Sequence, residues 1–463
     1  MTHHPTRRRA ARATAAVTAL GLAATLSACG GSDDDPGATA GPVTLRVQGM
    51  PPATDAAGQE AFQATIDEFE AANPDITIEA TTNEYDPLTF SAQLAGGSIE
   101  DVIRVPLTEP QGLIQRAQVA DLTEHLAAWP HYEELNPQVL EPLSDEAGNV
   151  YGVPRSPFAM GLAYNRALFE KAGLDPDDPP ETWDEVRAAA KAIAEKTDAA
   201  GFVHESKDNQ GGWQLTMLTY AFGGALESRD GDTVTPTLQT PEIKAALDQL
   251  HEMRWTDDSM GSQQLLNQDD VVRDFAAGQV GMFMGTPGTY KLAKQNFGMK
   301  DTENFGMAAM PQAGGDATMS GGEVFMVPAN VDAAKQAAAV KWMLFAYAQP
   351  QYDPEVAASQ AETLAKDPTA AVGVPTLPMF DAEHQAKIDA AIEPWVNVEL
   401  EHFTHYTEGT PQLTLQPEPT AGAQAIYAVL DTVVQAVLTE EDADVDALLA
   451  EAQAQAEAQL ASS

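Results

Sequence analysis

Thiols are nearly missing from this chain. Cys29 is the single cysteine in 463 residues, which excludes an intrachain disulfide framework and any metal site built on two thiolates. Basic side chains are scarce as well: 25 Lys and Arg face 69 Asp and Glu, a formal net charge of −44. A surface this anionic repels phosphate backbones, so nucleic acid is excluded as a partner. Long apolar runs are lacking. The most apolar stretch, Ala13–Leu26, falls short of the roughly 20 residues that a membrane-spanning helix needs. Signatures of chemistry are also absent. There is no HExxH, no GxSxG and no GxxxxGK[ST], and the nearest approach, His251-Glu252-Met253-Arg254-Trp255, lacks the second histidine. His402 and His405 are too few to hold a metal, so neither a metal nor a cofactor is expected. No internal repeat suggests a solenoid.

What is present begins with an export signal. Arg7, Arg8, Arg9 and Arg12 precede the apolar stretch, and residues 1–28 carry no acid. A basic segment followed by a short apolar one reads as a secretory signal. The arginine pair Arg7-Arg8 hints at twin-arginine export, which the residues after it do not support. Leu26-Ser27-Ala28-Cys29, followed by Gly30-Gly31, resembles the lipobox of bacterial lipoproteins. That resemblance implies cleavage after residue 28, acylation of Cys29 and anchorage at the outer face of a cell membrane. Residues 29–42 are small, polar and turn-forming, a flexible tether. Beyond the signal the chain keeps 21 basic and all 69 acidic residues, or −48.

The body alternates strand-like and helix-like segments. Val43–Gln48, Ile76–Ala80 and Asp101–Val105 read as strands, with helical spacing at 60–72, 88–95 and 113–119. A second run has strands at Leu162–Tyr164 and Gly281–Met284 and helices at 167–172, 183–196, 213–222, 242–254 and 269–277. Thr182 and Glu185 form a capping-box pattern at the start of the strongest helix. Asp230-Gly231 within 228–235 signals a hairpin. Strands Phe305–Met310 and Val324–Val327, a helix at 332–348 and a mostly helical tail from Ala421 to Leu460 complete the reading. Such alternation predicts an α/β protein with parallel sheets.

The order of motifs resembles the extracellular solute-binding proteins of ABC importers, in the sugar-binding family that includes maltose-binding protein. The segments that carry it are FEAANPDITIE (69–79), LAGGSIEDVI (94–103), NVYGVPRSPFAMGLAYNRALFEKAGL (149–174), PPETWDEVRAAAKAI (179–193), AFGG (221–224), FAAGQVGMFMGTPG (275–288) and MPQAGGDATMSGGEVFMVP (310–328). Each is weak alone; their order and spacing carry the likeness. It implies a two-lobed periplasmic-binding-protein type α/β fold with a hinge and an interlobe ligand cleft. Lobe one would be 43–157 plus 288–348. Lobe two would be 158–287 plus 349–463, with a helical C-terminal part. The chain would cross between lobes at Arg155–Ala159 and near Gly285 and Ala348.

The same resemblance nominates ligand contacts. Trp213, ten residues before Gly223, stands where family members stack an aromatic on a sugar ring; its indole N–H would meet a hydroxyl. Tyr85 lies in a loop at the cleft rim. Asp101 to Thr108 leads into a cleft-facing loop, where Arg104 would clamp an anion or pair with Glu109. Arg155 sits in a hinge, either at the cleft floor or in a salt bridge. Gly285, Thr286, Pro287 and Gly288 form a loop where the family places Gly-Pro and an aromatic. Here that aromatic is missing or displaced to Tyr290. Gly321, Gly322 and Glu323 form the matching loop of lobe one, and Trp395 is either a second platform or core packing.

The function implied is a monomeric, membrane-tethered binding protein. It would capture a mono- or oligosaccharide by lobe closure and hand it to ABC permease subunits, with no catalysis of its own. Arg104 and Arg155 motivate an anionic alternative, a sugar acid or phosphorylated polyol; the negative field motivates a cationic one. An extracellular glycosidase is the alternative of another class, since 69 acids leave carboxylate pairs available. The acidity itself reads as an adaptation to ionic strength rather than as part of a site.

Overall fold

A computed structural model describes residues 41–460 apart from Leu88, Gly231, Asp232 and Ala421. The export signal, the tether and Cys29 lie outside the described residues. The twelve strands are β1 (Val43–Gln48), β2 (Ile76–Thr81), β3 (Ile103–Pro106), β4 (Gly152–Ala159), β5 (Gly161–Asn165), β6 (Ala200–Phe202), β7 (Glu227–Asp230), β8 (Thr233–Pro236), β9 (Val280–Gly285), β10 (Phe305–Ala309), β11 (Ala317–Met326) and β12 (Thr414–Gln416). Among the described residues no helix is long and apolar enough to cross a membrane.

Among the described residues two four-stranded sheets, the first β12-β11-β3 with β4 on β11 and the second β10-β5-β9-β6, stand beside the two-stranded pairs β1-β2 and β7-β8, and each four-stranded sheet has an apolar layer on both faces. In the second, ordered β10-β5-β9-β6, Leu162, Tyr164, Met282 and Met284 face one core while Ala163, Phe283 and Met307 face another. That is the two-residue alternation of a strand, read twice because helices cover both sides. In the first sheet Val153, Phe325 and Val327 face one core; Ile103, Val105, Val324 and Met326 face the other. The sheets are mixed rather than parallel as expected. β1-β2, β6-β9 and β11-β12 are parallel, whereas β5-β9, β5-β10, β11-β3 and β11-β4 are antiparallel. The cause is connectivity. Met160 alone separates β4 from β5, so β5 enters its sheet directly from a strand of the other one, without a crossover helix.

β4 and β11 run antiparallel from one sheet's cores into the other's. Val153 and Phe325 belong to the first core system, Met160 and Met319 to the second. Between them the register shifts in a β-bulge at Gly321–Glu323. Within it Gly322 holds φ 139°, and opposite it Ser156 holds φ 50°, a backbone that side chains resist. The crossing expected at Arg155–Ala159 thus coincides with a strained double strand. Prolines 154 and 157 are tolerated because β4 pairs on one side only.

The cores draw the segment boundaries differently from the expected ones. Residues 288–319 contribute Tyr290, Ala293, Phe305 and Met307 to the second system, not the first, because β10 pairs with β5. The chain beyond Ala348 stays against the first system, where Leu377, Met379 and Phe380 are buried and Leu135 bridges Phe380. Val396, Val398 and Phe403 then join the second.

The helix Trp183–Lys196 begins at the expected capping box, with both reciprocal hydrogen bonds formed. The helix Gln210–Ala221 is wholly packed beyond its first turn. Its Gly212 lets the helix Ala423–Thr439 approach closely: a Cβ there would sit 2.4 Å from the Tyr427 carbonyl oxygen.

Candidate functional site

In open α/β folds, ligands collect at the carboxyl ends of strands. The two lobes present different chemistry, the first from side chains within its strands and the second from residues that follow them.

In the first lobe the structure brings Arg104, Arg155 and Glu323 together. Arg155 donates to Glu323 Oε2 at 2.7 Å and Arg104 Nε lies 3.5 Å from Oε1. Arg104 also lies 3.6 Å from Glu84, which replaces the expected partner Glu109. The Arg155 guanidinium stands 5.9 Å over the Phe325 ring and 5.7 Å over Tyr347, and those two rings stack 3.6 Å apart. Both arginines thus already have a carboxylate and, for Arg155, an aromatic floor. Gly321 and Gly322 form the adjoining bulge, and the Gly322 carbonyl accepts from Leu107 N–H at 3.1 Å, holding the half-buried Thr108 turn beside it. A small cavity of about 10 Å³ is lined by Leu107, Val139, Pro157, Gly321 and Gly322, room for about one water.

Tyr85 is apart from this cluster. Its hydroxyl donates to Glu109 at 2.8 Å and its ring leans on Phe90. Burial and the Glu109 charge push its phenol well above the usual range. Asp101 is displaced further. It precedes β3, at the amino end, where it accepts from Arg46 N–H at 2.8 Å and pairs with Lys335 at 2.8 Å. These contacts make it a staple between elements.

In the second lobe Trp213 opens the helix Gln210–Ala221 and stays half-buried, whereas Trp183 and Trp342 are at most 1% exposed. The Glu418 carboxyl lies beside its indole, and the exposed part of the ring is what it offers. Glu418 also accepts from Tyr427 at 2.8 Å, and burial raises its carboxyl. Asp431 fastens the same helix end, accepting from Asn209 N–H at 2.7 Å and Gly212 N–H at 2.8 Å. These free amides form an anion cradle at the helix start.

The sequence reading missed His204 and Glu205, which follow β6. Both are 1% exposed. Glu205 N–H donates to Gln214 Oε1, and Gln214 in turn donates to the Met284 carbonyl at the end of β9. His204 Nε2 and Glu205 Oε2 have no hydrogen-bond partner. Burial, with the Asp269 charge behind it, pushes Glu205 up to about 8; burial pulls His204 down to about 4. The signal available was positional: an acid at a strand's carboxyl end, eight residues before Trp213. Glu418 and Asp431, some 200 residues from Trp213 in sequence, left no local signal.

Gly285 ends β9, and Pro287 is buried at the start of the helix Gly288–Gln295. Tyr290 is core: 2% exposed, edge-on to Phe305 at 5.2 Å and Phe403 at 5.8 Å. It has no free face and does not replace the missing platform. Trp395 closes a 3-10 turn, Glu393–Trp395, half-buried. A concavity of about 700 Å³ lined by Lys171, Lys196, Met260 and Asp274 lies at the amino ends of β6 and β9, beside Ala200 and Val280, the opposite end from these residues.

Two sheets, each buried on both faces and linked by a bulged strand pair, make the architecture of a two-lobed binding protein. The comparisons agree. Residues 53–352 match the family of bacterial extracellular solute-binding proteins, and the chain belongs to that family. It is 27% identical over 263 residues to a Brucella abortus (strain 2308) protein named as a binding protein, covering 54% of this chain and 59% of the other. It is 26% identical over 287 residues to the diacetylchitobiose binding protein DasA of Streptomyces coelicolor, covering 58% and 62%. The alignments span about three fifths of each relative. The cyclic alpha-maltosyl-1,6-maltose binding protein of Arthrobacter globiformis superposes with a TM-score of 0.65 at 23% identity, covering 91% of this chain and all of that one; the fold is shared.

Proposed function

We propose that the protein captures a neutral carbohydrate outside the membrane and presents it to an ABC permease, acting as a monomer held by acyl chains on Cys29. It performs no chemistry on the ligand. The observation that carries this reading is Trp213, a partly exposed indole beside Glu418 on a helix whose first turn is fixed from behind by the Asp431 cradle. A rigid apolar plate covers the C–H face of a pyranose at little entropic cost. The relative DasA, named for diacetylchitobiose, supports the ligand class. The bulged β4–β11 pair supports closure about Ser156 and Gly322, because a ligand touching both lobes favours the closed state by its differential affinity.

An anionic ligand fits less well. Arg104 and Arg155 already share Glu323, so a carboxylate or phosphate would have to displace it and leave a carboxylate unpaired. A thermal-shift screen over neutral sugars, sugar acids and polyols tests the proposal. A ligand at 100 times its Kd stabilises by about 2.7 kcal/mol. Stabilisation by a polyamine or peptide with no response to any sugar would overturn the reading, as would turnover of an oligosaccharide by the pure protein.

A further inference from the structure

We propose that His131, Glu134 and His384 form a binding site for one divalent first-row transition-metal ion in the first lobe. The three side chains converge although His384 is 250 residues from Glu134 in sequence. His131 Nδ1 lies 2.6 Å and His384 Nδ1 2.8 Å from the same Glu134 oxygen, Oε2. Their ligand atoms all fall within 4.8 Å of one another.

The backbone fixes this convergence. His131 and Glu134 bracket the 3-10 turn Tyr132–Glu134, three positions apart, which puts both on one side of the turn. His384 occupies the first turn of the helix Ala382–Ile392, and its N–H is capped by Asp381 at 2.8 Å. The two segments are laced by Asp381 N–H to the Glu134 carbonyl at 2.7 Å and Asn136 Nδ2 to the Pro378 carbonyl at 2.9 Å. The rings are held by aromatic neighbours: His131 stacks on Tyr352 at 5.3 Å and His384 on Phe380 at 4.6 Å. Ligands whose orientation is set before binding lose little freedom when they bind.

The donor set selects the ion. Two imidazole nitrogens and one carboxylate oxygen suit Zn²⁺, Co²⁺, Ni²⁺ or Cu²⁺ rather than Mg²⁺ or Ca²⁺. Access selects the coordination. His384 is 4% exposed and its Nε2 has no partner, so only Nδ1 addresses the cluster, while His131 and Glu134 keep 33% and 35% side-chain exposure. An ion can enter from that open side and complete its coordination with water. On binding, each Nδ1 turns from donor to Glu134 into ligand, its proton passing to Nε2 as the tautomer changes, and Glu134 keeps its negative charge. The ion then ties residues 131–134 to residues 381–384.

The test uses the full chain, stripped with chelator and titrated with Co²⁺ followed by Zn²⁺. Wild type is expected to bind one equivalent of Co²⁺ at this site, with visible absorption that Zn²⁺ displaces, and Zn²⁺ is expected to raise its melting temperature. His131→Ala and His384→Ala should each lose that equivalent and the thermal response, and Glu134→Gln should weaken binding at least tenfold. His3 and His4 remain in every variant and so control for binding at the N-terminus. Should His384→Ala fail to fold, His131→Ala and Glu134→Gln, at more exposed positions, decide the matter. No Co²⁺ or Zn²⁺ uptake by wild type, or uptake that survives His131→Ala and Glu134→Gln undiminished, would overturn the proposal.

Discussion

The two lobes place their polar groups in opposite ways. The first gathers opposite charges that satisfy each other: Arg104 and Arg155 on Glu323, with Glu84 behind. The second holds one aromatic plate and hides its acids, with Glu418 and Asp431 serving Trp213 and its helix from within. An ion pair that is already complete resists an incoming charge, whereas a fixed indole face loses nothing on accepting a sugar ring. Affinity should therefore reside in the second lobe and closure geometry in the first.

The largest expected effect breaks the second lobe's support. Gly212→Ala forces a Cβ to 2.4 Å from the Tyr427 carbonyl, and should cost about 3 kcal/mol of stability in denaturant unfolding. Next, Trp213→Ala should weaken saccharide binding about 30-fold, or about 2 kcal/mol, with little change in melting temperature because the ring is only half-buried.

The third prediction concerns pH. The folded state holds a proton on Glu205, pushed from 4.5 up to about 8, which the unfolded chain releases above about 4.5. Stability from this group is present at low pH and is lost as pH rises towards about 8. His204, pulled from 6.5 down to about 4, acts in the opposite sense: its stability is present above 6.5 and lost as pH falls towards about 4. The two oppose each other below 6.5. Between about 6.5 and 8 only Glu205 acts, and stability should fall by about 1 kcal/mol per pH unit. Glu205→Gln should flatten that limb in pH-dependent unfolding; an unchanged slope would reject the assignment. The smallest effect is global. At a net charge of −44, added salt should modestly raise the melting temperature by screening self-repulsion, and a flat or falling curve would count against that.

Much of the fold could be read from local chemistry. β1 runs over the expected Val43–Gln48, and the helix Trp183–Lys196 starts at its capping box, because alternation and capping are short-range signals. β4 was not legible: no strand was expected over 152–159, and only the one-sided pairing with β11 makes room for prolines 154 and 157. The same holds for the sites. Trp213 was nominated by the family resemblance, but its neighbour Glu418 and the helix cap Asp431 come from some 200 residues away. Arg104 was expected to pair with Glu109 nearby, and only the pairing of β3 with β11 brings Glu323 to it. Asp101 stands before β3, and its partners Arg46 and Lys335 come from distant segments that no local signal reveals. The His131, Glu134 and His384 cluster spans half the chain, beyond the reach of any spacing rule.

The decisive measurement is calorimetric titration of the best-stabilising saccharide into wild type, Trp213→Ala and the Arg104→Ala/Arg155→Ala double variant. Loss of about 30-fold in affinity with Trp213→Ala, and a change of less than about threefold in the arginine variant, is the expected result. Loss of binding in the arginine variant with Trp213→Ala unaffected would contradict it, and would place recognition in the charged first lobe.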